Sequence, residues 1–75
     1  MIMPLCETKV DDISIIREIK NTPLALRLCE LGFNSGSEVK TLFNCSGSCA
    51  AYLVKGTVIA LRHEDARNIN VSLRK

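Results

Sequence analysis

Hydrophobic and polar residues alternate along several short stretches of this chain, a pattern typical of β-strands in which one face is buried. The alternation predicts strands at 13–19, 37–43, 50–55, 57–62 and 69–73. Gly56 separates the third strand from the fourth, so these two should form a hairpin. In the first two strands the pattern assigns an inward face to Ile13, Ile15 and Ile19, and to Val39, Thr41 and Phe43.

The segment between the first two strands has the signals of a helix over residues 23–31. Thr22 can cap its first backbone N–H groups, Pro23 suits the first helical position, and Gly32 can adopt the left-handed conformation that ends a helix. At 100° per residue, one apolar face is predicted for Leu24, Ala25, Leu28, Cys29 and Leu31. Such a short helix needs tertiary contacts, so this face should cover the strands.

The other side of the predicted helix is polar. Arg27 and Glu30 point away from the apolar face, and Leu26 lies at its polar edge. Near the end of the chain, residues 63–68 predict a short helical turn before the last strand. The fold class that follows is mainly β: a small five-stranded SH3-like barrel with one capping helix, because closure protects short strands that are apolar on both faces.

Composition limits the domain organisation and the classes of function. The 75 residues are enough for one domain, 1–75, and a hydrophobic content of 47% excludes a disordered chain. Ten basic against eight acidic residues give a net charge of only +2, which does not resemble a strongly basic nucleic-acid binder. The first residues do not resemble a secretion signal and no apolar run is long enough to span a bilayer, so we expect a cytoplasmic protein with no membrane insertion of its own.

Three segments resemble the FeoA family, also known as ferrous iron transport protein A: residues 28–39 (LCELGFNSGSEV), 54–62 (VKGTVIALR) and 66–71 (ARNINV). The resemblance covers 13–71 and consists of structural features. The sequence departs from the family pattern at three places. Ser35 stands where a proline is common, Asp11-Asp12 stand where a glycine-containing turn often precedes the first strand, and Cys45 and Cys49 lie in the central turn. The resemblance implies an SH3-like accessory protein that binds the cytoplasmic part of the FeoB-type ferrous iron permease, a membrane protein with a G-protein domain, and modulates it.

Candidate chemistry is sparse. Cys45 and Cys49 have a spacing that thiolate ligands of one metal ion can have, but two ligands are too few for a closed site, and free thiols in a turn are the simpler interpretation. His63 stands beside Glu64 and Asp65, yet no nucleophile motif accompanies them, and a capping role suits them better. We therefore expect no enzyme activity and no cofactor, with weak transition-metal binding left open.

The favoured functional surface is a protein-binding patch that contains Leu26, Arg27, Glu30 and Phe33, because apolar residues beside charges are common at interfaces. Two alternatives stay open: a small barrel that binds nucleic acid, and a cysteine-based metal-binding module. The basic residues are scattered and the aromatic ones are few, so we expect no nucleic-acid partner. The sequence leaves open whether the chain self-associates.

Overall fold

A computed structural model describes residues 2–20, 23, 25–45 and 48–74. Within them the chain forms six strands, one single-turn 3₁₀ helix and two short α-helices. In chain order these are β1 (Ile2–Pro4), the 3₁₀ turn (Leu5–Glu7), β2 (Ile13–Ile19), α1 (Ala25–Glu30), β3 (Glu38–Asn44), β4 (Cys49–Val54), β5 (Thr57–Arg62), α2 (His63–Ala66) and β6 (Ile69–Leu73). The mainly β fold with one helix between the first two predicted strands and a helical turn near residue 63 is therefore confirmed.

All six strands belong to one antiparallel sheet with the order β1-β6-β2-β3-β4-β5. This is one strand more than the sequence predicts. The additional strand, β1, is only three residues long, pairs with β6 at the edge of the sheet and contains Pro4. Proline is tolerated at a sheet edge because its missing N–H leaves no ladder bond broken. A segment this short carries no alternation that could predict it.

The core lies inside the curved sheet. Tyr52 and Phe33 are its largest fully buried side chains. The hydrophobic residues around them come from every strand except β1 and from both α-helices: Ile16, Leu28, Val39, Ala50, Val54, Ile59, Leu61, Ala66, Ile69 and Val71, with Leu5 from the 3₁₀ turn. In the hairpin, Tyr52, Val54, Ile59 and Leu61 form the buried face, whereas Val58 on the other face is exposed.

The observed faces of β2 and β3 differ from the predicted ones, and in β3 the cause is a bulge. In β2, Ser14 and Ile16 are fully buried, whereas Ile13, Ile15 and Ile19 are only partly covered, so the predicted inward face was wrong. The pairing of β2 with β6 shifts register between Ile16 and Glu18. A second shift, between Thr41 and Phe43, turns Phe43 outward and leaves it half exposed. A bulge inserts one residue into one strand and so reverses the alternation beyond it.

Within α1, Leu28 is the one fully buried side chain among the described residues. Leu28 is buried, but Leu31 is 45% exposed and Cys29 is also exposed, so the broad apolar face predicted for this helix was too wide. The prediction also used Thr22 and Leu24, which lie outside the described residues. Ala25 is half-buried. The helix is therefore attached along a narrow line and presents most of its surface outward.

The end of α1 explains the position of Phe33. Gly32 has φ +111°, its N–H donates to Cys29 O at 3.1 Å, and Phe33 N–H donates to Leu28 O at 3.0 Å. These two bonds form a Schellman motif, in which the residue after the glycine contacts the last buried residue of the helix. A Cβ at position 32 would lie 3.3 Å from Val54 Cγ1, so a larger residue there would also crowd Val54. Phe33 consequently points into the core.

We expect Leu28→Ala to lower the free energy of unfolding by about 2 to 5 kcal/mol, because it leaves a cavity where α1 meets the core. Urea denaturation followed by circular dichroism measures the change. Leu26→Ala is the matched control, since Leu26 is exposed on the same helix, and it should change stability by less than about 0.5 kcal/mol. Equal losses for the two variants would mean that Leu28 does not anchor the helix.

Tyr52 provides a second test of the core. Its hydroxyl is buried with no hydrogen-bond partner among the described residues, and burial, with a smaller contribution from the charge of Cys6, raises its pKa to about 12. Unfolded tyrosine ionises near pH 10, so the stability that this group contributes is complete below about pH 10 and is lost as the pH rises towards about 12.

Relative to Tyr52→Phe, the wild-type chain should therefore lose about 1 to 3 kcal/mol of stability between these pH values. Urea unfolding of both proteins across this range measures the difference, and comparing them removes the common contribution of lysine and cysteine titration. Parallel stability curves for the two proteins would show that the Tyr52 hydroxyl ionises as easily in the folded chain as in the unfolded one.

Candidate functional site

The outward side of α1 and the residue that follows the helix carry two exposed leucines, Leu26 and Leu31. Leu26 is 73% exposed, more than any other large hydrophobic residue among those the structure describes. Arg27 and Glu30 are exposed beside it, and Leu31 completes the patch at the end of the helix. Spacings of three and four residues make these side chains neighbours on one helical surface. We call Leu26, Arg27, Glu30 and Leu31 the α1 surface.

The structure thus brings together three of the four residues predicted for partner binding and removes the fourth. Leu26, Arg27 and Glu30 are all exposed on α1. Phe33 is 0% exposed, so its inclusion in the patch was wrong: the Schellman motif turns its ring inward. Leu31, which the sequence assigned to the buried face, takes its place on the exposed surface.

A groove of about 340 Å³ continues from the α1 surface towards β5. Arg27, Leu28 and Leu31 line one side of it, and Ile59, Ala60, Leu61 and Arg62 of β5 line the other, with Asp65 of α2 at one end. β5 is the last strand of the sheet and pairs only with β4. The sequence did not predict this groove, although the apolar residues on both faces of the predicted hairpin were the signal that β5 needs cover on both sides.

A second cleft, of about 330 Å³, lies beside the 3₁₀ turn and is organised by Asn44. The Asn44 side-chain N–H group donates to Cys6 O at 3.1 Å and to Thr8 O at 2.7 Å, and its Oδ1 lies 2.6 Å from His63 Nε2. Because an amide oxygen can only accept, His63 Nε2 must carry the proton. Asn44 therefore joins the 3₁₀ turn, β3 and the start of α2.

The Cys6 thiol at this cleft is poorly suited to reaction or metal binding. Burial raises its pKa above the ordinary cysteine value, and the nearby Glu7 carboxylate raises it further, while Arg67 opposes the shift. The reactive and metal-binding form of cysteine is the thiolate. At neutral pH the Cys6 thiol consequently stays protonated.

The remaining polar candidates are held in structural contacts. His63 begins α2, its backbone N–H donates to Ser48 O at 3.0 Å, and its neighbour Glu64 forms an exposed ion pair with Arg62 at 3.6 Å. Cys45 and Cys49 are both exposed at the tip of the β3–β4 hairpin. In the described part of the chain, no three His, Cys, Asp or Glu side chains converge in a way that could hold a metal ion.

The aromatic residues do not form a stacking platform. Phe33 and Tyr52 are completely buried, and Phe43 is half exposed. Single-stranded nucleic acids bind small barrels by stacking bases on several exposed aromatic rings. This arrangement gives the nucleic-acid alternative no structural support, and the absence of a nucleic-acid partner stays a prediction.

The family follows from a comparison with protein-family models, in which residues 3–73 match the FeoA domain. The chain belongs to the FeoA family. The match covers almost all of the sequence, including Met3 and Pro4 of β1, which lie before the segment in which the resemblance was found. No curated protein sequence shows significant similarity to this chain. Among the described residues, no helix combines the length and the apolar character needed to cross a membrane.

Solved structures of other FeoA proteins are similar to this FeoA domain. An iron uptake regulatory protein (FeoA) has a TM-score of 0.91 at 21% identity, with 99% of this chain and 100% of that one covered. The solution structure of FeoA from Chlorobium tepidum has a TM-score of 0.87 at 27% identity, with 97% and 71% covered.

A third relative is FeoA from Stenotrophomonas maltophilia, crystallised with zinc, with a TM-score of 0.84 at 29% identity and coverage of 93% and 89%. It is described as a procaryotic SH3-domain protein and a candidate activating factor of bacterial ferrous iron transport. The SH3-like fold predicted from the sequence is thereby confirmed.

We expect Asn44→Ala to destabilise this FeoA domain by about 2 to 3 kcal/mol, because two partly buried carbonyl groups and the His63 ring lose their partner. His63→Ala removes only one of the three contacts and should cost about 1 kcal/mol. Thermal and urea unfolding of both variants compare the two losses. A larger loss for His63→Ala than for Asn44→Ala would contradict the central position of Asn44.

Proposed function

We propose that this chain is an accessory protein of ferrous iron uptake that binds the cytoplasmic part of a FeoB-type permease through the α1 surface and modulates transport. Membership of the FeoA family supports the pathway. The observation that carries the binding site is the 73% exposure of Leu26 on a helix anchored to the core by Leu28. The chain acts by docking, with no catalytic residue and no cofactor of its own.

Burial of Leu26 against a partner makes the main favourable contribution to the free energy of binding. Covering an exposed leucine side chain contributes about 1.5 to 3 kcal/mol, and Leu31 adds part of a second one. Arg27 and Glu30 flank these leucines with opposite charges, which favours correct orientation and disfavours wrong partners more than it increases affinity. The α1 surface therefore combines an apolar anchor with a polar rim.

The partner must contact more of this domain than the helix alone. A standard interface covers about 800 Å² on each protein, which is about one sixth of the 4696 Å² surface of this domain. Six helical residues do not provide that area. The groove between α1 and β5 adjoins the α1 surface and would supply the remaining contacts, with Leu31 belonging to both.

The metal-binding alternative has one supporting observation, which is that Cys45 and Cys49 lie at the same hairpin tip. Two thiols do not complete a structural metal site. Docking is favoured over this alternative because its anchor, its charged rim and its adjoining groove form one continuous surface.

We expect Leu26→Glu to weaken binding to the purified cytoplasmic part of a FeoB-type permease at least about tenfold, since it removes a buried leucine and places a charge in the interface. Isothermal titration calorimetry with and without guanosine nucleotide and ferrous iron measures the affinity. The matched control is Val10→Glu, which makes the same change in charge at an exposed residue away from α1.

Both variants should retain the unfolding free energy of the wild-type chain, because both positions are exposed. If Leu26→Glu binds with wild-type affinity while Val10→Glu is impaired, the site lies elsewhere. If the wild-type chain does not bind the cytoplasmic part of the permease under any of these conditions, the proposed partner is wrong.

A further inference from the structure

Cys45 and Cys49 face each other across the end of the β3–β4 hairpin. The backbone N–H of Cys45 donates to Cys49 O at 2.9 Å, and Ser48 N–H donates to Cys45 O at 3.0 Å. The preceding rung of the same ladder pairs Asn44 with Ala50. The two cysteines therefore face each other one position beyond this rung. Cys45 bonds through its N–H to Cys49 and through its C=O to Ser48, so that Ser48 and Cys49 together oppose it.

Residues opposite each other on antiparallel strands project their side chains from the same face of the sheet. Ala50, which follows Cys49 on β4, is buried on the inner face, so Cys49 presents its side chain outward, and so does Cys45 opposite it. Both cysteines are exposed. The two thiols thus lie side by side on the outer face, where a small reagent can reach them.

The spacing of two residues placed in this way permits a disulfide bond, but only a strained one. Cα atoms of residues that face each other on antiparallel strands lie about 4.5 to 5.5 Å apart, within the range of about 4.4 to 6.8 Å found in disulfides. Their Cβ atoms are about 4.5 to 5.5 Å apart, wider than the usual value of about 3.8 Å. A bond formed here would be strained, and strained, exposed disulfides are the easily reduced ones.

We propose that Cys45 and Cys49 form a reversible dithiol–disulfide site that closes by exchange with a low-molecular-weight disulfide of the glutathione type. One cysteine loses its proton, and its thiolate attacks a sulfur of the reagent, forming a mixed disulfide and releasing one thiolate. The second cysteine then loses its proton and attacks the protein sulfur of the mixed disulfide, which releases the second thiolate. The reagent gains two electrons, the protein loses two, and the two protons pass to the released thiolates.

Closure would fix the hairpin tip at a point that contacts α2. Ser48, between the two cysteines, accepts a hydrogen bond from His63 N–H at 3.0 Å, and Cys49 pairs with Arg62 of β5. The cysteine pair therefore lies beside the contact between β3 and α2 that Asn44 and His63 form. This site does not depend on the proposed docking function.

The test treats the reduced full chain with oxidised glutathione, blocks the remaining thiols by alkylation and analyses the tryptic peptides by mass spectrometry. Cleavage after Lys40 and Lys55 gives peptide 41–55, which contains Cys45 and Cys49 and no other cysteine. We expect this peptide to escape alkylation and to be lighter than its dithiol form by two hydrogen atoms. When excess reduced glutathione is added before alkylation, the peptide should instead carry two alkyl groups.

Cys45→Ser and Cys49→Ser should each stop at the mixed disulfide and carry one glutathione on the remaining cysteine of the peptide. The matched control is Cys29→Ser, which removes an exposed cysteine on α1 and should leave closure unchanged. The proposal is overturned if wild-type peptide 41–55 carries two glutathiones, if it stays reduced while Cys29 reacts, or if either cysteine pairs with Cys6 or Cys29.

Discussion

The fold and the proposed binding surface both depend on how α1 is fixed to the sheet. Leu28 enters the core, and one turn later Gly32 reverses the chain so that Phe33 enters beside it. The buried side chains of Leu28 and Phe33 and two backbone hydrogen bonds therefore determine the rotation of the helix about its axis. That rotation leaves Leu26 facing outward, since it is two residues, or about 200°, from Leu28. The exposed leucine follows directly from the position of the buried one.

Much of this could be read from the sequence because it is encoded locally. Gly32 marks the end of the helix, although its first turn begins at Ala25 rather than at the predicted Pro23. A rotation of 100° per residue separates Leu28 from the polar side. The strands of the hairpin are equally clear, because Gly56 occupies a turn position with φ +80°. The exposure of Leu26, the most important feature of the candidate site, needed only the helical period.

Other features depend on contacts that no local pattern records. The bulge in β3 reverses the alternation, so Phe43 turns outward. In β2, Ser14 and Ile16 are buried although the pattern selected their more numerous apolar neighbours. Phe33 was assigned to the binding patch because it follows the charged side of the helix, whereas its inward direction comes from the capping motif. The groove beside Leu31 requires knowing that β5 passes next to α1, which only the tertiary fold establishes.

The central claim, that this FeoA domain binds its partner through the α1 surface, is tested most directly by residue-specific mapping. Amide chemical shifts of the isotopically labelled chain can be recorded while the unlabelled cytoplasmic part of a FeoB-type permease is added. Our account predicts that the largest changes occur at residues 26–31 and, across the groove, at residues 59–62. Changes confined to the cleft around Asn44 or to the β3–β4 hairpin tip would contradict it.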